Sequence, residues 1–389
     1  MVRVVIKFGG ADLSSGERIQ RAAKVLAEAH FEEVVVVVSA MGKTTDNLTQ
    51  TANEIGVDEA EWAEIISTGE RTSARIFAAA LKAVGLRAEV FDPAYDNWPI
   101  ITDSNFCHAS PDLEKTASLT AKFLMPLLGK VIPVVCGFLG RDSQGRVTTL
   151  GRGGSDTTAV LLARCISADE IILVKETSGV LSVDPKIVPN ARQLNMLEIH
   201  EMFDLAQGGA RIVKPSALKY KLPNQILRVV DFNSGNFASK GTEIKGSFNL
   251  SSAETLTLEG LVAVSIVCEV NAQNIGSAFS MLSGKPVYGV SSGRKSVTVF
   301  TTDGDIAQIL NRLHSIKDLK AVSHRENVAM IQISHPDFID SPGGIAKISS
   351  ALSQAGINII EVTTSKATIN VFIEEKEINR AKEAIGNVV

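Results

Sequence analysis

Four short clusters carry the residue types that could do chemistry, and each follows an apolar run. In Lys7-Phe8-Gly9-Gly10 a lysine precedes two glycines whose missing side chains let backbone amides approach an anion, which suits phosphate stabilisation. The same pair also serves as a plain tight turn. Ser39-Ala40-Met41-Gly42-Lys43-Thr44-Thr45-Asp46 ends like a Walker A loop, but position 37 is Val where that motif requires Gly, so a Walker site is rejected. What remains is a strand-to-helix turn rich in hydroxyls, with Asp46 expected as its N-cap. Ser67-Thr68-Gly69-Glu70-Arg71-Thr72-Ser73 reads as a small turn before an apolar helix at 74–83. There Glu70 is either a helix-start charge or the receiver of a substrate ammonium group.

The fourth cluster is the most specific. Gly137-Phe138-Leu139-Gly140 follows a buried run, and Thr148-Thr149-Leu150-Gly151-Arg152-Gly153-Gly154-Ser155-Asp156-Thr157-Thr158-Ala159 opens a long apolar helix. Small residues around an arginine at a helix N-terminus make an anion site from exposed amides, helix dipole and guanidinium together.

The elements that must position these clusters are short strands and amphipathic helices in alternation. A β-branched run at 2–7 leads into a glycine turn and an amphipathic stretch at 16–30. The unbroken valines at 34–38 require burial on both faces, as in an inner strand of a parallel sheet. Further strands are expected at 87–91, 130–136 and 170–175. Such alternation predicts an α/β fold whose ligands bind at the carboxyl ends of the strands. Around 232–250 Asn, Ser and Gly dominate, and this stretch reads as a linker. Beyond it a βαββ order appears twice, at 261–301 and at 328–374, and residues 383–389 are expected to fray.

Length and composition agree with this layout. The 389 residues exceed one ordinary core, and with 45% hydrophobic, 21% charged and 5% aromatic residues the chain resembles multidomain α/β proteins. A net charge of −4 without charged blocks gives no basic field for nucleic acid. No apolar run approaches a membrane span, and the apolar start is interrupted before it reaches signal-peptide length. Cys107, Cys136, Cys165 and Cys268 lack metal or disulfide spacing, so buried thiols in a reducing cytoplasm are expected.

In this order, the four clusters with Asp184-Pro185-Lys186 and Gly209-Ala210-Arg211 resemble aspartokinases and the wider amino-acid kinase family over about the first 230 residues. Ser341-Pro342-Gly343-Gly344-Ile345-Ala346 and Ala355-Gly356-Ile357-Asn358-Ile359 resemble ACT domains. The resemblance implies an amino-acid kinase fold, a central mostly parallel sheet between helices, at 1–235, then a linker at 236–252 and ACT-like units at 253–322 and 323–389. It implies ATP with Mg²⁺ as cofactors and Lys7 and Asp156 as catalytic residues. Gly9, Gly10, Gly153, Gly154, Ser155, Asp184 and Lys186 would serve the nucleotide, with Gly9 and Gly10 donating amides. Ser39 and Thr45 would hold the acceptor amino acid, Glu70 its ammonium and Arg152 a carboxylate. An amino-acid effector at the ACT units and a homo-oligomer built through them are also implied.

The chain departs from the family pattern at several points. The hydroxyl pair after the glycines is Ala11-Asp12, the usual Trp-Thr-Asp is Val174-Lys175-Glu176, and the usual His-Pro is Lys214-Pro215. Asp12 is either a turn cap or a base for a hydroxyl acceptor such as homoserine, the alternative to aspartate. A catalytically weak amino-acid sensor is the third possibility.

Overall fold

The computed structural model of the protein describes residues 2–388 except 211, 239, 250–252, 283, 303, 305, 336–337, 339–341 and 366. Arg211 and Ser341, both part of the motifs above, therefore lie outside the described residues. The chain forms two compact units, Met1–Phe248 and Asn249–Val389.

The first unit runs β1 (Arg3–Phe8), α1 (Gly16–Ala29), β2 (Glu33–Val38), α2 (Thr44–Ile55), α3 (Glu59–Ala83), β3 (Ala88–Phe91), α4 (Leu113–Phe123), β4 (Ile132–Cys136), β5 (Leu139–Arg141) and β6 (Val147–Thr149). It continues with α5 (Gly154–Cys165), β7 (Glu170–Lys175), β8 (Met196–Glu198), α6 (Ile199–Gln207), α7 (Pro215–Leu218), β9 (Ile226–Asp231) and β10 (Thr242–Lys245). Eight of these strands form one sheet in the order β3-β4-β2-β1-β7-β9-β10-β8. Strands β3 to β9 along that order pair in parallel, and β10 runs antiparallel to β9. Val35 to Val38 of β2 are fully buried, as an inner parallel strand requires.

Register decides where the clusters meet. Phe8 pairs with Val38 on one side and Val174 on the other, and Val38 pairs with Cys136. Residues 7–10, 39–42, 137–140 and 175–176 therefore leave the sheet along one carboxyl edge. The chain winds outward from β1 in both directions, through β2 on one side and β7 on the other. The β1/β7 junction is thus a topological switch point, where sheets of this kind open a crevice.

Three expectations are corrected here. The Asn/Ser/Gly-rich stretch 236–252 is not a free linker, because β10 lies within it, buries Thr242 and Ile244 and pairs with β9 and β8. Residues 67–73 do not form a turn: α3 passes straight through them, which places Glu70 in mid-helix. Gly69 is there for space, since a Cβ would lie 2.9 Å from that of Ala40. Asp46 is no N-cap either; α2 starts after Lys43 without a side-chain cap, and Asp46 stands in its first turn.

The second unit runs β11 (Glu254–Cys268), α8 (Ala272–Met281), β12 (Gly289–Ser292), β13 (Ser296–Thr302), α9 (Ile306–His314), β14 (Leu319–Ser334), α10 (Gly344–Gln354), β15 (Ile359–Ser365), β16 (Thr368–Glu374) and α11 (Ile378–Gly386). Its six-stranded sheet has the order β12-β13-β11-β14-β16-β15. The repeat is longer than βαββ, because α9 and α11 each add a helix. Of the segment 383–389, the residues up to Gly386 continue α11 rather than fray, and Ile385 is buried in a cluster with Ile331, Val371 and Leu352, while Val389 lies outside the described residues.

A boundary at 322/323 falls inside β14, which pairs with β11 along most of its length. The early part of β11, 254–258, faces 330–334, and its later part, 261–268, faces 319–328. Gly260 and Asn327, both with positive φ, stand at the register shift between the two parts. The two repeats therefore share their long strands and interlock. Among the described residues, no helix is long and apolar enough to cross a membrane.

Candidate active site

Lys7 is delivered by the last residues of β1, and α5 delivers Asp156 from its first turn. Their side chains meet in a 2.9 Å ion pair. Lys175, the last residue of β7, reaches the same carboxylate at 3.2 Å. The backbone amide of Lys214 donates to it as well, at 3.2 Å. Asp156 is 4% exposed, so this is a buried anion bridged by two lysines and an amide. Burial alone would raise its carboxyl pKa, but Lys175 and Lys7 overcome that and hold it at about 2. Lys175 is shifted downwards, because burial and repulsion from Lys7 outweigh its attraction to Asp156.

The glycine loop wraps this cluster. A Cβ on Gly10 would lie 2.7 Å from the carbonyl oxygen of Ala40, so the loop after β1 touches the loop after β2 and only glycine fits. The Gly42 amide donates to the Gly10 carbonyl at 2.8 Å across the same contact. A Cβ on Gly137 would likewise meet the Ser155 Cβ at 2.7 Å, seating the start of α5 against β4. Gly151 and Gly153 adopt left-handed φ of 71° and 79°, which turns the chain into α5 and leaves Gly153 as its N-cap. Lys214 covers this turn, with its Cδ 3.2 Å from where a Gly153 Cβ would be.

Asp12 belongs to the same cluster. It is 1% exposed and its Oδ2 accepts the Gly9 amide at 2.8 Å. That amide, expected to serve a nucleotide, is therefore engaged by a side chain. Burial pushes the Asp12 carboxyl up to about 6, only partly offset by Gly9, Lys7, Lys175 and Arg18. Arg18 lies 3.9 Å from its Oδ1, pairs with Glu176 at 2.9 Å, and stacks on Phe232 at 4.3 Å.

A second group assembles beside the first. Glu70 accepts the Ala40 amide at 3.1 Å with the Thr45 side chain nearby, while Ser39 donates its own amide to the Phe8 carbonyl at 3.1 Å. Glu70 is 3% exposed, and burial drives its carboxyl up to about 7. Its Oε2 is buried and has no hydrogen-bond partner. Arg152 differs from all of these: its side chain is 91% exposed and 3.7 Å from Asp46, on an open groove lined also by Thr49, Gln50, Asn53 and Glu54.

The structure thus brings together Lys7, Gly9, Gly10, Gly153, Gly154, Ser155 and Asp156, and next to them Ser39, Thr45 and Glu70. Asp184 and Lys186 stand apart as an exposed turn in which Asp184 accepts the Lys186 amide at 2.9 Å. Lys175 was not among the expected site residues. Its signal was the departure at 174–176, which falls in space beside the other departure at Asp12.

The amino acid kinase family matches residues 2–226, and an ACT domain matches residues 323–386. An aspartokinase of Pseudomonas aeruginosa is 32% identical, with 99% of this chain and 97% of the relative covered. Aspartate kinase from Synechocystis superposes with a TM-score of 0.75 at 23% identity, covering 99% of this chain and 69% of that one. E. coli aspartokinase III in complex with aspartate and ADP superposes at 0.59 and 21% identity, covering 100% of this chain and 99% of that one. The chain carries the amino acid kinase fold followed by a C-terminal ACT domain and belongs to the amino acid kinase family, among the aspartokinases.

Proposed function

We propose that the protein transfers the γ-phosphoryl group of ATP to the side-chain carboxylate of L-aspartate, giving 4-phospho-L-aspartate. The observation that carries this reading is the buried bridge of Lys7, Asp156 and Lys175 at the β1/β7 crevice, facing the glycine loop and the start of α5. Phosphoryl transfer asks a protein for positioning and charge neutralisation rather than covalent chemistry. Two lysines held by one anion provide cations in fixed places, and the start of α5 adds its dipole.

On the acceptor side, Glu70 receives the ammonium group and Arg152 a carboxylate, with Ser39 and Thr45 completing the subsite. An aspartate side chain is already ionised at neutral pH and attacks without a base. The relative crystallised with aspartate and ADP supports both ligands.

Mg²⁺ finds no cage of its own here. Asp156 is committed to two lysines and an amide, Asp12 is ringed by cations, and no group of three or more His, Cys, Asp or Glu that could hold a metal occurs among the described residues. The ion therefore enters as the counter-ion of the nucleotide phosphates, and no protein ligand to it is assigned. The ACT repeats are read as the site of an amino-acid effector and of pairing between copies of the chain.

The test is ADP release with aspartate, homoserine, glutamate or no acceptor. Aspartate-dependent turnover is expected. Turnover with homoserine alone would replace the substrate assignment, and none with any acceptor would favour a sensor.

A further inference from the structure

Asp46 stands at the mouth of the acceptor subsite and has no role in the mechanism so far. It does not cap α2, which starts without a side-chain cap. The side chain of Thr45 lies near Glu70, and Asp46, the next residue, projects roughly 100° further round the helix. There its Oδ1 lies 3.7 Å from the Arg152 guanidinium. Among the described residues, no other carboxylate pairs with Arg152.

The turn that carries Arg152 is walled on both sides. A Cβ on Gly151 would lie 2.7 Å from the His108 Nδ1, and one on Gly153 would lie 3.2 Å from the Lys214 Cδ. With both glycines in the left-handed region, the backbone is fixed and the guanidinium changes partner by rotating its side chain. The Arg152 side chain is 91% exposed and that of Asp46 is 68% exposed, so their pairing is a surface contact that exchanges at little cost. The acceptor brings a second carboxylate for the same guanidinium. It either displaces Asp46 or sits beside a like charge, and both oppose its binding.

We propose that Asp46 is the resting counter-ion of Arg152 and a specificity-determining residue of the acceptor subsite. It holds the guanidinium in the free protein, yields it to the acceptor carboxylate, and so sets how tightly that acceptor binds. An acceptor without such a carboxylate leaves the pair closed. The inference rests on the reading of Arg152 as the carboxylate partner of the acceptor.

The experiment is steady-state kinetics of the full-length protein with ATP and aspartate, followed by ADP release, for wild type, Asp46→Asn, Arg152→Ala and the double variant. Glu54→Gln is the control, because Glu54 lines the same groove but accepts the Gln50 amide at 2.8 Å, so it reports the general field of the acids there. Asp46→Asn should lower the KM for aspartate about two- to fivefold, the change falling on KM rather than kcat. Glu54→Gln should keep KM within about 1.5-fold of wild type. Arg152→Ala should raise KM, and Asp46→Asn added to it should bring no fall, since the partner it frees is gone. An unchanged or raised KM in Asp46→Asn, an equal fall in Glu54→Gln, or the same fall in the Arg152→Ala background would overturn the proposal while leaving the acceptor reading in place. A wild-type KM in Arg152→Ala, or no aspartate turnover by wild type, would overturn both.

Discussion

Asp156 and Arg152 stand four residues apart at the entrance to α5, yet they occupy opposite environments. Asp156 is buried and locked between two lysines, whereas the Arg152 side chain is 91% exposed and 3.7 Å from Asp46. On the proposed reading, the phosphoryl half of the site is assembled before any ligand arrives, and the acceptor half, at Arg152, is completed by the ligand. Substitutions in the first half should therefore lower kcat and disturb the fold, and those at Arg152 should raise KM and leave the fold alone.

The strongest way to break this contrast is Asp156→Ala. It strands Lys7 and Lys175 beside each other in a buried site, and it should cost about 3–5 kcal/mol of stability. Urea unfolding of the first unit measures it, and an unshifted midpoint would mean that the bridge is not structural. Lys7→Met removes one cation from the transferring group and should lower kcat by about 10²- to 10³-fold, with little change in the KM for aspartate. Steady-state kinetics decides, and a loss confined to KM would move Lys7 out of the phosphoryl half.

Glu70 sharpens the comparison through pH. Its carboxyl is raised from an ordinary 4.5 to about 7 in the fold. The stabilisation from its protonated form is complete below 4.5 and disappears as pH rises through about 7. Over that window wild type should lose on the order of 3 kcal/mol relative to Glu70→Gln, as followed by thermal melts in a pH series. Arg152→Ala should raise the KM for aspartate about tenfold or more and shift stability by less than about 0.5 kcal/mol.

The sequence made the framework legible because register in a buried parallel sheet leaves little choice. Val34 to Val38 could only be an inner strand, and once β1 and β4 flank it in parallel, Lys7 must emerge at the same edge as Ser39. Misreadings arose where one residue type has two physical uses. Gly69 resembles a turn residue but is small so that α3 can pass Ala40 closely, and this hid the mid-helix position of Glu70. Thr242 and Ile244 lie in an Asn/Ser/Gly-rich stretch that composition assigns to a linker, although their alternation buries them in the sheet. Lys175 was visible only as a mismatch. Its meaning depends on Asp12 and Asp156, which come from distant parts of the chain and meet it only after folding.

The most direct measurement is rapid-quench detection of the acyl phosphate, trapped with hydroxylamine, after mixing the protein with ATP and aspartate. Wild type should form it in a burst or steady phase that requires aspartate, and Lys7→Met should still bind nucleotide but form it at least about a hundredfold more slowly. Equal rates in the two proteins, or no trapped product from wild type, would contradict the claim that the lysine–aspartate bridge carries the transfer.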